Sequence, residues 1–183
     1  MWETLKPFPL FFGGAQNQPQ TRYVCNFNGV SQYGTLNIPV SPGDTVTVIA
    51  KVSADDNNDY IFCEESSVTI AFYRNTGYLF GYAGISELRI DGVVSDVVPT
   101  DGLYHTYELD ISTSGTIGFV GIRYTLTRHI NGSIIGIKLN DGSVHNYPMD
   151  DGWVNNPTMR NTGTGADGTF INMTEASWVE VSA

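Results

Sequence analysis

Turn dipeptides made of Asp or Asn followed by Gly punctuate the second half of this chain, at Asp91-Gly92, Asp101-Gly102, Asn131-Gly132, Asp141-Gly142 and Asp151-Gly152. Several lie about ten residues apart, which leaves room between them for single short strands and little else. Each pair is suited to the positive φ of a tight hairpin turn. The intervening segments do not resemble one another, so the spacing marks strand length and not a sequence repeat. Successive short strands with turns at this interval predict a two-sheet sandwich.

The strands themselves are clearest in Leu103–Leu139. In its first segment His105, Tyr107, Leu109 and Ile111 share one face and Thr106, Glu108 and Asp110 the other, the period-two pattern of a half-buried strand. In the second, Ile117 and Phe119 oppose Val120 and Ile122, so both faces are apolar, as in a central strand. The third alternates Ile135, Ile137 and Leu139 with Gly136 and Lys138. Asn131-Gly132 is expected to turn the second segment into the third, so that the two pair antiparallel.

Before this stretch the pattern predicts strands at Arg22–Phe27, Thr35–Ile38, Thr45–Val52, Tyr60–Cys63, Val68–Tyr73, Tyr78–Tyr82, Glu87–Ile90 and Val93–Val98. Turns are expected at Asn28-Gly29, Tyr33-Gly34 and Pro42-Gly43-Asp44. Ser143–Pro148 and a Gly/Asn/Thr-rich loop, Asp150–Thr169, follow Leu139. A last strand, Ser177–Val181, is expected to pair with the first. No window carries helical periodicity.

Residues 1–20 differ from the sandwich domain, residues 21–183. Trp2, Leu5, Phe8, Leu10, Phe11 and Phe12 crowd around Pro7 and Pro9, which exclude a helix and disfavour a central strand. The segment reads as an arm, lying over its own domain or anchored on a neighbouring subunit. It lacks the basic start and unbroken apolar run of a signal peptide, so secretion by that route is not expected, and no stretch is apolar enough to insert in a membrane. Cys25 and Cys63 could pair in an oxidising compartment, but with so large a core available they are read as buried thiols. With 9 basic and 19 acidic residues the formal net charge is −10, and no Lys/Arg cluster interrupts it, which argues against nucleic acid as a partner.

Three segments resemble concanavalin A-like and laminin G-like jelly rolls of the kind found in tailed-phage virion proteins. FNGVSQYGTLNIPVSPGDTVTVIAKVS (Phe27–Ser53) is similar to their F-[DN]-G-x-x-x-Y turn and the strand after it. DGLYHTYELDI (Asp101–Ile111) resembles their G-x-W/Y-H strand, through Tyr104 and His105. YPMDDGWVNNPTMRNTGTGADGTFINMTEASWVEV (Tyr147–Val181) is similar to their tails, with Y-P-[LIM]-[ND]-D-G, an N-P turn, G-x-x-G-T and a final Trp strand. The resemblance covers residues 21–183 and implies an all-β jelly-roll sandwich in a virion assembled in the host cytoplasm. Its implied partners are other virion proteins, and its implied roles are tail fibre or capsid decoration protein. A homotrimer suits either role.

The same architecture hosts glycoside hydrolases that carry E-x-D-x-x-E on one strand. Glu108 and Asp110 supply the first half of that pattern, but the next position in it is Thr113, so the proton donor is missing and a non-enzymatic protein is expected. Asp55, Asn57 and Asp59 space oxygen ligands like the start of a calcium loop, yet Tyr60 and Ser66 stand where an EF-hand needs Gly and Glu. A polar loop or a looser calcium site remain, and no other cofactor is expected. Sugar recognition needs flat apolar faces beside hydrogen-bonding groups. Tyr147, Asp150, Asp151, Trp153, Asn155 and Asn156 offer that mixture, as do Tyr73, Asn75, Tyr78 and Tyr82, although aromatics also cap sandwich cores. The expectation is a lectin-like virion domain contacting host-surface glycans, or alternatively a decoration protein with no sugar site.

Overall fold

The computed structural model describes residues 22–52, 60–74, 79–99, 101–123, 125–126, 130–149 and 158–181. The N-terminal arm with Trp2, Phe8, Leu10, Phe11 and Phe12, the calcium candidate Asp55, Asn57 and Asp59, and Asn75, Tyr78, Asp150, Asp151, Trp153, Asn155 and Asn156 lie outside the described residues.

Among the described residues, fifteen strands form two antiparallel sheets packed face to face as a jelly-roll β-sandwich. In chain order they are β1 (Arg22–Asn28), β2 (Tyr33–Val40), β3 (Thr45–Val52), β4 (Tyr60–Glu64), β5 (Ala71–Arg74), β6 (Phe80–Ala83), β7 (Ile85–Ile90), β8 (Val93–Val94), β9 (His105–Ile111), β10 (Gly115–Val120), β11 (Asn131–Leu139), β12 (Asn146–Pro148), β13 (Thr158–Met159), β14 (Gly168–Ile171) and β15 (Trp178–Val181). The eight-stranded sheet runs β15-β1-β11-β3-β9-β7-β8, with β12 also on β11; the seven-stranded sheet runs β13-β14-β2-β10-β4-β5-β6. The last strand pairs with the first as expected, Cys25 opposite Trp178. Among the described residues the only helical turn is a 3-10 turn at Glu175–Ser177.

Alternation carries the core. On β9 Tyr107, Leu109 and Ile111 are buried and their neighbours are half-buried. Tyr107 reaches the opposite sheet, its ring 5.5 Å from Phe72 and 5.2 Å from Phe80, with Phe62 5.8 Å from Phe72. Each such ring contributes roughly 1.5–3 kcal/mol on burial, which is what joins the two layers. Cys25 and Cys63 are buried and not joined in a disulfide; burial pushes the Cys25 thiol well up.

The hairpin between β7 and β8 has Asp91 and Gly92 at φ 52° and 80°, the geometry the dipeptide predicts. Asn131-Gly132 does not turn. It opens β11, with Asn131 opposite Asn28 and Gly132 opposite Phe27 and Val52. A side chain at Gly132 would start 2.5 Å from the Lys51 carbonyl oxygen, so glycine is needed there for close strand approach and not for a left-handed conformation. The second and third segments of Leu103–Leu139 consequently do not pair: β10 lies in the seven-stranded sheet between β2 and β4, and β11 lies in the other sheet between β1 and β3. Tyr33-Gly34 is likewise strand, pairing with Ile171 and Phe170. Within the expected loop Asp150–Thr169, the short strands β13 and β14 form one edge of the seven-stranded sheet, held by buried Met159 and Phe170.

Candidate binding face

The outward face of the seven-stranded sheet is aromatic, and two irregularities in its strands make it so. In β4 the register against β5 shifts between Tyr60 and Phe62, so Ile61 and Phe62 both enter the core while Tyr60 and Cys63 face outward. In β10 the register shifts between Ile117 and Phe119, which sends Ile117 and Val120 inward and Phe119 outward. An extra residue in one strand re-aims the side chains on either side of it. The result is a second apolar cluster, separate from the core, of Tyr60, Cys63 and Ala71 packed by Val68, Tyr73 and Phe119.

Within it the rings are ordered. Tyr60 and Tyr73 stack with centroids 4.8 Å apart and planes 18° from parallel. The Arg123 guanidinium lies 5.8 Å from the centre of the Tyr60 ring, a cation–π distance. Tyr73 stands opposite Gly81 on β6, and a Cβ there would lie 2.5 Å from the Tyr73 ring, so the ring covers bare backbone. At the other end Tyr33 meets Phe119 edge-on, centroids 6.1 Å apart. Tyr33, Tyr73 and Phe119 are half-buried, so each keeps part of its surface in water.

Along β7 and β9 the outward face of the eight-stranded sheet is ionic. Arg89 on β7 holds Asp110 through two bonds of 2.8 Å each, reaches Glu108 at 3.4 Å and also binds Glu87. Asp110 additionally accepts from the Thr45 hydroxyl at 3.0 Å. The Arg89 bond, aided by Thr45, holds the Asp110 carboxyl below its ordinary range, and its carboxylates raise the Arg89 guanidinium further. The two acids that copy half of a glycosidase pattern are therefore ion-paired to one arginine. A general acid needs the opposite shift.

His105 lies at the end of this sheet, between two aspartates. Its Nδ1 is 2.6 Å from Asp91 and its Nε2 3.0 Å from Asp101. Ionised carboxylates only accept, so both contacts are hydrogen bonds only when both ring nitrogens carry protons, as in the imidazolium form. Burial opposes that charge, but the bonds to Asp101 and Asp91 outweigh it and the imidazole pKa is raised; Asp101 is lowered in return, chiefly by His105. The beginning of the Tyr-His strand is thus a clasp, with Lys51 over the Tyr104 ring at 5.4 Å.

Tyr147 is 1% exposed and its hydroxyl donates to the Ala166 carbonyl at 2.9 Å while meeting His145 Nδ1 at 3.2 Å. Burial pushes the phenol up to about 12 and lowers the buried His145. Asn161 ties the same corner, its amide donating to Val144 and its oxygen accepting from Asn146 and Gly163. Tyr147 has no free ring face for a sugar and packs the core instead. Tyr82 is 38% exposed on β6, opposite Phe72.

Sequence reasoning named Tyr73 but missed Tyr33, Tyr60 and Phe119, which share the outward face with it. The signal of that face was present at Ile117–Ile122, where both faces of the strand were apolar, and in Tyr60 and Tyr73 within their strands. Among the described residues no group of three or more His, Cys, Asp or Glu could hold a metal ion. A scan against protein-family models and searches of curated proteins and of solved structures found no match to the chain.

Proposed function

We propose that this chain is a non-enzymatic, lectin-like β-sandwich of a tailed-phage virion, and that it contacts host-surface glycans through the outward face of its seven-stranded sheet. The observation that supports the reading is the partly exposed aromatic row Tyr33, Phe119 and Tyr73, backed by Tyr60 and Arg123, on one face only. A pyranose ring presents apolar C–H groups on its faces and hydroxyls around its rim. Such a row offers ring surface for the first, with the phenols of Tyr33 and Tyr73 and the guanidinium of Arg123 for the second. The virion setting rests on the three sequence segments that resemble phage jelly rolls.

Glycan-array screening of the full chain is expected to return bound saccharides. Tyr73→Ala should abolish that binding while Glu108→Gln, on the other face, leaves it unchanged. An array with no retained glycan, or equal loss in both variants, overturns the assignment of this face.

The alternative, a decoration protein that holds neighbouring subunits without binding sugar, draws support from a different region: the exposed aliphatic side chains Leu79, Val93, Val94 and Val97.

A further inference from the structure

One side of the sandwich is closed by a single segment. After β8 the Ser95 amide donates to the Leu88 carbonyl at 3.2 Å, within the eight-stranded sheet. Immediately beyond, the Phe80 amide donates to the Asp96 carbonyl at 2.7 Å and Val97 bridges to Leu79, on the other sheet. Residues 93–97 therefore form a seam stitching the edges of both sheets together. The seam is apolar on its outside: Val93 is 66% exposed, Val94 65%, Val97 54% and Leu79 47%. Exposed aliphatic side chains on a sheet edge, with Val94 at the outermost strand, are the kind natural sheets cover or blunt with charge. Asp91 and Asp96 border them, and Arg89 stands opposite Val94.

The chain holds one segment that matches this surface. Residues 1–12 carry Trp2, Leu5, Phe8, Leu10, Phe11 and Phe12, and their two side-chain charges, Glu3 and Lys6, cancel, so the mixed charges around the seam do not repel them. Pro7 and Pro9 are two apart, so in an extended segment both missing amides fall on one side, and the amides of Phe8 and Leu10 fall on the other. Such a segment can pair along one edge only, as a terminal strand must.

Position selects whose seam it meets. The described chain starts at Arg22 on β1, and β8 lies five strand positions away in the same sheet, about 24 Å. Residues 13–21 span at most about 30 Å when fully extended. To reach its own seam, the segment would have to run almost straight over the face carrying Arg89, Glu87, Glu108 and Asp110. A neighbouring copy sets no such restriction. We propose that residues 1–12 of one copy dock on the Leu79–Val93–Val94–Val97 seam of a second copy. The donor leaves near one edge of the sheet and the acceptor is the opposite edge, so the contact is head-to-tail, the kind that builds a ring such as a trimer when its rotation closes and an open filament when it does not.

The test measures molar mass by light scattering on the full chain, on a variant lacking residues 1–14, and on Val94→Glu. The full chain is expected to be oligomeric and both variants monomeric, with melting temperatures showing that each remains folded. The deletion variant keeps the seam and Val94→Glu keeps the arm, so an equimolar mixture should restore a one-to-one complex. A monomeric full chain, which is also the outcome of an arm packed on its own seam, overturns the proposal. So does a mixture that remains monomeric.

Discussion

On β7 and β9 of the eight-stranded sheet the outward side chains satisfy one another, Arg89 taking up Glu87, Glu108 and Asp110, while at the end of the sheet His105 takes up Asp91 and Asp101. On the seven-stranded sheet the outward side chains include the rings of Tyr33, Tyr73 and Phe119, which keep area facing water. Both faces come from strands of similar length pleated over one core. The ionic face has its hydrogen-bonding capacity spent internally, so a ligand would have to displace charge-assisted bonds. The aromatic face presents ring surface, and contact there removes more apolar surface from water. Where a sandwich binds is decided less by its architecture than by which outward face keeps apolar area open to solvent.

That contrast can be attacked from the core outward. Phe72 lies under both faces, touching Phe62, Phe80 and Tyr107. Phe72→Ala should cost about 3–5 kcal/mol in urea unfolding and weaken both faces together. If only the aromatic face loses order, read as chemical-shift change confined to it, the two faces do not share a core in the way described.

Next in size is Arg89→Met, which leaves Glu87, Glu108 and Asp110 side by side without their cation. A loss of about 1–2 kcal/mol at neutral pH is expected, moderated by partial exposure. In the parent chain Asp110 titrates below its ordinary range, so its contribution is present above the unfolded carboxylate value and fades as pH falls through the depressed one. Arg89→Met should lose that acid sensitivity and be relatively less impaired at low pH. Denaturation midpoints from pH 3 to 7 check it, and parallel curves for the two proteins would contradict it.

The smallest effect belongs to His105. Its folded pKa is raised, so its stabilisation is fully present below the ordinary histidine value and is lost as pH rises through the raised one. With both aspartates half exposed, the amount is no more than about 1 kcal/mol. Melting temperature should fall as pH rises across this interval in the parent chain and stay level in His105→Gln. Glycan binding on the opposite face should ignore the change, which separates the two faces directly.

Several features are legible in the chain's local pattern. The inward sets Tyr107, Leu109, Ile111 on β9 and Val46, Val48, Ala50, Val52 on β3 follow from alternation, and Asp91-Gly92 turns where its dipeptide requires. Other features depend on contacts far apart in sequence. Tyr147 looks like part of a sugar platform because Tyr serves equally at a surface and in a core, and only the Ala166 carbonyl and His145 around it settle which. The outward positions of Tyr60 and Phe119 depend on irregularities in β4 and β10 that shift the two-residue period by one, and no local pattern announces them.

By itself, then, the amino-acid sequence determined that this protein is all-β, roughly where most of its strands lie, which side of most of them is apolar, and that its last strand meets its first. The tertiary structure decided which strand joins which sheet, sending β10 and β11 into opposite layers, and which outward face was left aromatic. The division has a physical cause. Alternation and turn chemistry act within a few residues, whereas an antiparallel strand offers the same hydrogen-bonding edge to any partner. The choice among partners is made by side chains packing across the core, such as Tyr107 against Phe72 and Phe80.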